Sequence, residues 1–581
     1  MPDNAVPLVA LVVGPTAGLL LGEGVDEHVP LDGLVERVAS VTASTRPRWV
    51  VWSAASTLRP VVEARVDVPR TWDLAEAHRL VNGGWRATPG HVVASCRGLS
   101  EADVPLARVP RLSGFDGDLF DVVAGDDPSL WTPDAHLRPD ALAWASTPAR
   151  LRELAELALE CQAAQRDSLT LIGGAEVARL ERTVWSESAA AVLCLELERD
   201  GLPVDRAAAE DLIAAAAGPR PTDEADAARI RAHRDQDVLR HAPGRPVADL
   251  RNPGQVRELL QSVGVDVPNT RAFVLEPYRR THPFVDALLR WRKDERIATT
   301  YGYRWLDDHV GADDRLRGGW TACDGAAGRM TAQNGLHNLP APLRPAVAAA
   351  PGHVFVRADL GQVEPRVLAV VSADRAFAEA TRADDLYAPV AAKLGADRPT
   401  AKVAVLAAMY GQRSGPAGEA LKDLERAYPV AMGLLDRAYA DGVARRPVRT
   451  YGGRLIRFGA PGVTPQGLEP GEDALAGGAA SAAADAGRGR YARNAIIQGS
   501  AAELFKAWAA TVRHAVAPLG GQIVLCLHDE LLVHVPEEHA EQAAATVGTA
   551  LTSAARTWAG TDAVRFVSDT SVVRRWSEAK G

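Results

Sequence analysis

The chain has 581 residues, 47% of them hydrophobic and 24% charged, and a formal net charge of −9 at pH 7. This length predicts more than one domain, and the composition excludes a disordered or fibrous protein. No apolar run is long enough to span a bilayer, and the N-terminus lacks a basic-then-apolar signal, so we expect no membrane contact. The acidic balance does not itself indicate a nucleic-acid partner, although DNA binding needs only a local basic surface.

The five cysteines show no C-x-x-C pairing. This spacing predicts neither a zinc site nor a disulfide framework. Free thiols are typical of a reducing compartment, so we expect a cytoplasmic protein.

Residues 1–165 mix predicted strands with predicted helices. Residues 6–21 indicate a strand and turn, and residues 49–52 a short strand. Residues 72–80 and 149–164 indicate helices. This mixture predicts an α/β domain.

Residues 180–325 are predicted to be mainly helical. Basic residues crowd one stretch: Arg279, Arg280, Arg290, Arg292, Lys293 and Arg296. They could grip duplex phosphates. Because Asp294 and Glu295 are interspersed, a solvated helix face is an equal alternative.

Residues 353–366 read HVFVRADLGQVEPR. The apolar run predicts a buried strand that ends on Asp359, and Glu364 and Arg366 follow. A strand ending on a carboxylate is a rigid mount for a metal ion. The alternative is an ordinary strand with an Asp before a turn.

Residues 397–411 predict a helix. Asp397 can cap it, Pro399 suits its first turn, and Gly411 can end it. Four residues at i+4 steps share one face: Arg398, Lys402, Leu406 and Tyr410. The first two lie near the positive N-terminal end, which suits a triphosphate, although a solvated basic face is the alternative.

The segment 458–489 is rich in Gly, Ala and Pro and predicts a flexible insertion. Arg490, Asn494 and Gln498 follow at i+4 intervals on an Ala-rich helix. They could contact a ligand or simply form the solvent-exposed face of the helix.

Residues 522–536 place two apolar runs around His528, Asp529 and Glu530. This pattern predicts a tight hairpin with acids at its tip. Adjacent carboxylates are costly to bury without a positive partner. Asp359 and Asp529 could therefore hold a pair of Mg²⁺ ions, which suits phosphoryl or nucleotidyl transfer.

Three stretches resemble, in order, the signature motifs of DNA polymerase family A: residues 359–366, 398–411 and 528–530. Residues 328–340, 385–387 and 453–457 also resemble stretches of that family. The resemblance implies an α/β and α+β multidomain fold. A ribonuclease H-like domain (1–165) would precede a right-hand polymerase domain (166–581), leaving no room for a 5′ nuclease domain. The thumb would span about 175–325 and the fingers about 381–499. The palm would comprise about 326–380 and 500–581.

The resemblance also implies residue roles. Asp359, Asp529 and the backbone carbonyl of Leu360 would bind two Mg²⁺ ions, with Mn²⁺ able to substitute. Glu530 would be secondary, and Lys402 would protonate the leaving group. Expected nucleotide-binding residues are Arg398, Lys402, Tyr410, Glu364, Gln362, Leu406 and Tyr387. Expected DNA-binding residues are Arg329, Asn338, Arg490, Asn494, Gln498, His528 and Arg366.

Three residues depart from the family pattern. Leu406 replaces an aromatic residue, Tyr387 replaces a histidine, and Pro365 replaces an aliphatic residue. These departures could alter speed, fidelity or sugar tolerance. The expected metal ligands are unchanged.

The N-terminal domain lacks the acids of a two-metal 3′–5′ exonuclease. Gly14, Thr16, Leu58 and Pro148 stand near the positions where the resemblance places the acids. Asp73 alone is acidic, and an Asp that begins a helix is usually a cap. We therefore expect a degenerate domain without proofreading.

The resemblance implies a monomeric DNA-directed DNA polymerase that acts in DNA repair or in gap filling during replication. Its partners would be primer-template DNA and deoxynucleoside triphosphates. Two rivals stay open. A single-subunit RNA polymerase is disfavoured by Glu364, which would crowd the sugar 2′ position. A catalytically weakened DNA-binding scaffold is disfavoured because Asp359, Asp529, Arg398 and Lys402 are all present.

Overall fold

The computed structural model describes residues 6–106, 129–244, 247–411, 416–458 and 477–579, with side chains described outside 416–420 and 477–482. The chain forms two compact units. The first comprises Met1–Arg199, Trp320–Thr331 and Val356–Ser571, and the second Asp200–Gly319, Ala332–Phe355 and Val572–Gly581. Within the described ranges, no helix combines the length and apolarity that crossing a membrane requires.

The first unit opens with the predicted α/β domain. Its strands are β1 (Leu8–Val13), β2 (Ala17–Gly22), β3 (Val25–Pro30), β4 (Arg48–Val51) and β5 (Thr71–Asp73). Its helices are α1 (Leu31–Thr45), α2 (Ala54–Thr57), α3 (Arg59–Glu63), α4 (Leu74–Asn82), α5 (Pro89–Cys96), α6 (Ala141–Trp144), α7 (Pro148–Gly173) and α8 (Val177–Asp200).

The five strands form one sheet in the order β3-β2-β1-β4-β5. β2 is antiparallel to β1 and β3, whereas β4 is parallel to β1 and β5. Alternate residues of β1 enter different cores, with Ala10 and Val12 on one face and Val9 and Leu11 on the other. Because both faces are covered, the strand is continuously apolar.

The sequence predicts a domain boundary at residue 165. It falls inside α7, which packs against β1 and β2 and contributes Leu154 and Ala158 to their core. A helix that completes the core of a sheet belongs to that sheet's domain. The helix continues past residue 165 to Gly173 and contributes Leu169 to the same core.

The second unit is mainly helical. It contains β6 (Leu202–Pro203), β7 (Arg315–Leu316), α9 (Arg206–Ala217), α10 (Glu224–Leu239), α11 (Pro253–Ser262), α12 (Ala272–Leu275), α13 (Pro283–Thr300) and α14 (Tyr303–His309). Part of the predicted basic stretch is ion-paired on the surface. Arg279 contacts Glu276 at 3.1 Å, and Arg290 contacts Asp286 at 2.7 Å.

The remaining elements surround a second sheet. The strands are β8 (Trp320–Asp324), β9 (Arg329–Ala332), β10 (His353–Leu360), β11 (Val448–Arg449), β12 (Leu455–Ile456), β13 (Gln522–Leu527), β14 (Glu530–Pro536) and β15 (Ser568–Val573). The helices are α15 (Val363–Ser372), α16 (Arg375–Ala380), α17 (Tyr387–Leu394), α18 (Arg398–Tyr410), α19 (Pro416–Ala427), α20 (Pro429–Val443), α21 (Gly477–Val516) and α22 (Ala540–Ala559). The four-stranded sheet has the order β13-β14-β10-β15.

The predicted flexible insertion at 458–489 is wrong in its later part. Residues 459–476 lie outside the described residues, and α21 already begins at Gly477. The alanines of this stretch have the highest intrinsic preference for helix. The helical continuation therefore outweighs the glycines.

Candidate active site

The predicted hairpin at 522–536 is present. β13 and β14 pair antiparallel, with Leu527 opposite Glu530. His528 and Asp529 are left as a two-residue turn, and His528 has the positive φ (53°) that such turns require. The turn presents the Asp529 carboxylate at the end of the sheet.

Asp359 reaches the same end of the sheet from β10. The amide of the next residue, Leu360, donates a hydrogen bond to the carbonyl oxygen of Asp529 at 2.9 Å. Burial and the nearby Asp529 charge raise the pKa of Asp359 to about 6. Burial likewise raises the pKa of Asp529. Two carboxylates that resist ionisation in this way favour the approach of a positive charge.

The donor set at this edge fits a hard divalent cation. The two carboxylates and the Leu360 carbonyl are oxygen ligands, which Mg²⁺ and Mn²⁺ accept. Among the described residues, no group of three His, Cys, Asp or Glu side chains is arranged to hold a metal ion. An ion held by these three oxygen atoms would take its remaining ligands from water and substrate phosphates.

Arg357 is a functional candidate that sequence reasoning missed. It lies in β10 and is 4% exposed. Its Nη2 donates to Asp359 Oδ2 at 2.8 Å, and its Nε lies 3.3 Å from Glu530 Oε1. Residues i and i+2 of a strand point to the same face, so this spacing could have revealed the pair.

Helix α18 begins and ends where the sequence predicts. The Asp397 side chain accepts a hydrogen bond from the Thr400 amide at 2.8 Å, and Pro399 lies in the first turn. Gly411 adopts the left-handed conformation (φ 73°) that ends the helix.

The predicted face of α18 is divided between the cavity and solvent. Leu406 and Tyr410 line a cavity beside the acids, whereas Lys402 and Arg398 are exposed and absent from its lining. Arg398 pairs with Asp385, Nε to Oδ2, at 2.5 Å. Its expected contact with a triphosphate requires that this pair open or be shared.

The cavity has a volume of about 300 Å³. It brings together residues from all the signature stretches. Its lining comprises Arg329, Leu360, Gln362, Val363, Glu364, Pro365, Tyr387, Leu406, Tyr410, Gln498, Ala501, Ala502, Phe505, His528 and Asp529.

Glu364 lies in the cavity wall with its side chain 17% exposed. Its carboxylate is 3.5 Å from Arg329 Nη2 and accepts a long hydrogen bond from the Tyr410 hydroxyl at 3.4 Å. Burial raises the pKa of Glu364 despite the opposing Arg329 charge. The side chain is thereby held between two elements of the cavity.

Gln362 fixes the loop that precedes Tyr387, the first residue of α17. Its Nε2 donates to Asp385 Oδ1 at 3.2 Å, and its Oε1 accepts from the Leu386 amide at 2.8 Å. Tyr387, where the resemblance implies histidine, is 5% exposed, and burial raises its pKa to about 12. It is neutral at physiological pH, so it cannot supply the positive charge of an imidazolium.

The three polar residues of α21 differ in position. Gln498 lines the cavity, Asn494 is half-buried, and Arg490 is exposed near Gly411, with its Cγ 3.0 Å from where a Cβ on that glycine would lie. The Asn494 Oδ1 atom is buried without a hydrogen-bond partner in the described chain. Their expected contacts with DNA stay predictions.

The expectation that Arg366 binds DNA is wrong. The residue is fully buried, and its guanidinium donates to backbone carbonyl oxygens, including those of Gly361 (3.1 Å), Thr381 (2.6 Å) and Ala383 (2.9 Å). Burial lowers its pKa to about 10. Arg366 therefore holds these backbone segments together.

Asn338 does not belong to the unit that contains the cavity. It lies in the second unit, where its carbonyl oxygen accepts hydrogen bonds from the Tyr301 hydroxyl (2.8 Å) and Arg296 Nη2 (3.1 Å). Its expected contact with DNA beside the primer terminus stays a prediction.

The expected exonuclease positions hold structural residues. A Cβ on Gly14 would lie 2.1 Å from the Ala145 carbonyl oxygen, so no acid fits there. Leu58 is fully buried in the core, and Pro148 begins α7. Asp73 caps α4, accepting from Ala75 and Glu76 amides at 2.9 and 3.0 Å.

Comparison with known proteins agrees with this geometry. The model of DNA polymerase family A matches residues 248–578, which is more than half of the chain. The chain belongs to DNA polymerase family A. The matched region contains every expected polymerase site residue, from Arg329 to Glu530.

The curated relatives of this family A chain include DNA polymerase I of Chloroflexus aurantiacus, 30% identical over 308 residues. The alignment covers 49% of this chain and 32% of that protein. The thermostable DNA polymerase I of Thermus filiformis is 28% identical over 343 residues, covering 54% of this chain and 38% of the relative. The alignments thus span only about a third of the length of these relatives.

The fold of this family A chain resembles a solved structure along nearly its whole length. The POL domain of Pol1 from M. smegmatis, in a complex with DNA primer-template and dNTP, superposes with a TM-score of 0.65. The match covers 99% of this chain and 96% of that chain, at 20% identity. The likeness includes the N-terminal domain, which precedes the region matched by the family model.

Proposed function

We propose that the chain is a DNA-directed DNA polymerase that adds deoxynucleotides to a primer 3′ end. One observation carries the proposal: β10 and the β13–β14 hairpin bring Asp359 and Asp529 together, joined by the Leu360–Asp529 bond of 2.9 Å, beside a cavity lined by signature residues. Primer-template DNA and deoxynucleoside triphosphates are its partners, and it acts as a cytoplasmic monomer in repair or gap filling.

Asp359, Asp529 and the Leu360 carbonyl would hold two Mg²⁺ ions, and Mn²⁺ would substitute. Metal ions bound there supply Lewis acidity and charge neutralisation for in-line nucleotidyl transfer. The two carboxylates determine the position of the metal ions, and so of their positive charge. Lys402 and Arg398 neutralise phosphates at the start of α18, and Lys402 donates a proton to the leaving group.

The cavity wall selects the substrate. Tyr410 stacks near the templating base, and Glu364 crowds the sugar 2′ position so that ribonucleotides fit poorly. Arg329, which faces Glu364, reaches the minor groove of the last base pair, where correct pairs share acceptor positions. The site therefore checks pairing without reading sequence.

The N-terminal domain, in this proposal, supports the polymerase without proofreading. The crowded Gly14 position and the capping role of Asp73 support this assignment.

The test is extension of a labelled primer-template by the full chain with Mg²⁺ and either deoxynucleotides or ribonucleotides. Template-directed extension with deoxynucleotides is expected. More efficient extension with ribonucleotides than with deoxynucleotides would favour the alternative, a single-subunit RNA polymerase. DNA binding with no extension by either would favour the scaffold.

A further inference from the structure

Arg357 is a buried cation that contacts the acids of the candidate metal site. It lies on the interior strand β10, and its guanidinium contacts carboxylates on β10 itself and on the two strands beside it, β14 and β15. Besides Asp359 at 2.8 Å and Glu530 at 3.3 Å, its Nη1 donates to Asp569 Oδ2 on β15 at 3.3 Å. Its side chain is 5% exposed, so solvent screens these contacts weakly.

The contacts are unequal in their consequences. Asp569 is 69% exposed, and its pairing with Arg357 is therefore weak. The side chains of Asp359 and Glu530 are less exposed, at 32% and 13%. The arginine thus occupies one carboxylate oxygen of Asp359 and holds Glu530 on the side of β10 where Arg357 lies.

From this geometry we propose that Arg357 is a tethered counter-ion that weakens metal binding at the Asp359–Asp529 pair. The inference rests on the proposed function, because it takes these acids to be the metal site. Arg357 is a positioning residue: it contacts the ligands and not the substrate.

Two effects of the arginine oppose each other. Holding Asp359 in one rotamer favours metal binding, because less side-chain order is lost when the ion arrives. Its positive charge disfavours a dication at the same carboxylate, and this repulsion acts across a few ångströms in a poorly solvated site. The ordering of one short side chain is the smaller effect, so we expect charge to prevail.

The consequence is a low metal occupancy in the absence of substrate. A nucleoside triphosphate brings its own negative charge to the site, and that charge offsets the positive charge of Arg357. Metal binding and nucleotide binding should therefore be strongly coupled in this chain, with the free protein holding metal poorly.

The test is a Mn²⁺ titration of the full-length protein without DNA or nucleotide, with free Mn²⁺ measured by electron paramagnetic resonance. Arg357→Gln, which removes the charge and keeps a hydrogen-bonding side chain, should lower the Kd for Mn²⁺ by about tenfold or more. Arg357→Lys keeps the charge and should bind Mn²⁺ like the wild type. Arg556→Gln, which removes an exposed arginine paired with Asp562, is the matched control and should change nothing.

Asp359→Asn separates failure of the inference from failure of the proposed function. If this variant keeps the Mn²⁺ site, the acids are not the metal site and the proposed function fails. If it loses the site while Arg357→Gln binds Mn²⁺ equally or more weakly, the counter-ion inference alone is overturned. An equal gain in affinity for Arg357→Lys would also overturn it, because charge would not be the cause.

Thermal unfolding in EDTA provides a second readout. Arg357→Gln should lower Tm, because its carboxylate partners lose their counter-ion, and Mn²⁺ should raise the Tm of the variant more than that of the wild type. A lower Tm that Mn²⁺ restores no more than in the wild type would show a merely structural arginine and overturn the inference.

Discussion

The amide of Leu360 donates a hydrogen bond to the carbonyl oxygen of Asp529 at 2.9 Å. This backbone contact continues the pairing of β10 with β14 and links two residues that lie 169 positions apart (529 − 360) in the sequence. The pairing places Asp359 and Asp529 at one end of the sheet, where burial and the Asp529 charge raise the pKa of Asp359. The proposed chemistry depends on this juxtaposition.

Replacing Glu364 with Ala should relax sugar selection. The buried carboxylate stands in the cavity wall, held by Arg329 and Tyr410, and its removal opens space for a 2′ hydroxyl. We expect the ratio of ribonucleotide to deoxynucleotide incorporation, measured as kcat/KM for each, to rise about tenfold or more. An unchanged ratio at similar overall activity would place the discrimination elsewhere, for example near Leu406.

The N-terminal domain should not degrade a mismatched primer. Clustered carboxylates are required to hold two metal ions, and Gly14 has no room for a side chain. The measurement is shortening of a mismatched 3′-end primer with Mg²⁺ and no nucleotides, in the Asp359→Ala background that disables the polymerase site. Steady shortening that Asp73→Asn abolishes would show that Asp73 is a metal ligand.

A buried ion cluster should dominate the stability of the first unit. Glu187 on α8 is fully buried and contacts Lys506 Nζ at 2.6 Å and Arg454 Nη2 at 2.5 Å. Glu187→Gln leaves two buried cations without their counter-ion, which should lower the free energy of unfolding by about 3–5 kcal/mol. Denaturant titration measures it.

Glu176→Gln is the control for that prediction. Glu176 is 62% exposed and pairs with Arg179 at 3.0 Å on the surface. Loss of such a pair should cost at most about 1 kcal/mol. If Glu187→Gln and Glu176→Gln lower the free energy of unfolding equally, the buried cluster contributes no more to stability than a surface ion pair.

His78 should make the stability of the N-terminal domain fall in acid. Burial lowers its pKa from the ordinary 6.5 to about 3, so the folded state resists the proton that the unfolded state accepts. The stability is present above pH 6.5 and is lost as the pH falls toward 3. The stability difference between the wild type and His78→Gln should therefore shrink by about 1.4 kcal/mol per pH unit below pH 6. A difference independent of pH would contradict this assignment.

Much of the site could be predicted because its local signals are short-range. The cap at Asp397, the stop at Gly411 and the hairpin around Asp529 depend on residues within a few positions, and each is present. The apolar run that ends on Asp359 likewise forms a buried strand. Family membership follows from the order of these stretches.

The parts that could not be predicted depend on long-range packing. Arg366 has the residue type of a DNA contact, but loops distant in sequence enclose it and take all its donors into backbone bonds. Arg398 looks free on its helix until Asp385 is placed beside it. The packing of α7 across residue 165 is likewise long-range, because only the folded sheet shows that this helix contributes to its core.

The central claim is most directly tested by single-turnover primer extension with Mg²⁺ for Asp359→Asn and Asp529→Asn, with primer-template affinity measured in parallel by fluorescence anisotropy. Asp384→Asn, which removes an exposed carboxylate paired with Arg565, is the control and should extend normally. Asp359→Asn and Asp529→Asn should each abolish extension and leave DNA affinity largely unchanged. Normal extension by either variant would contradict the assignment of Asp359 and Asp529 as the metal-binding pair.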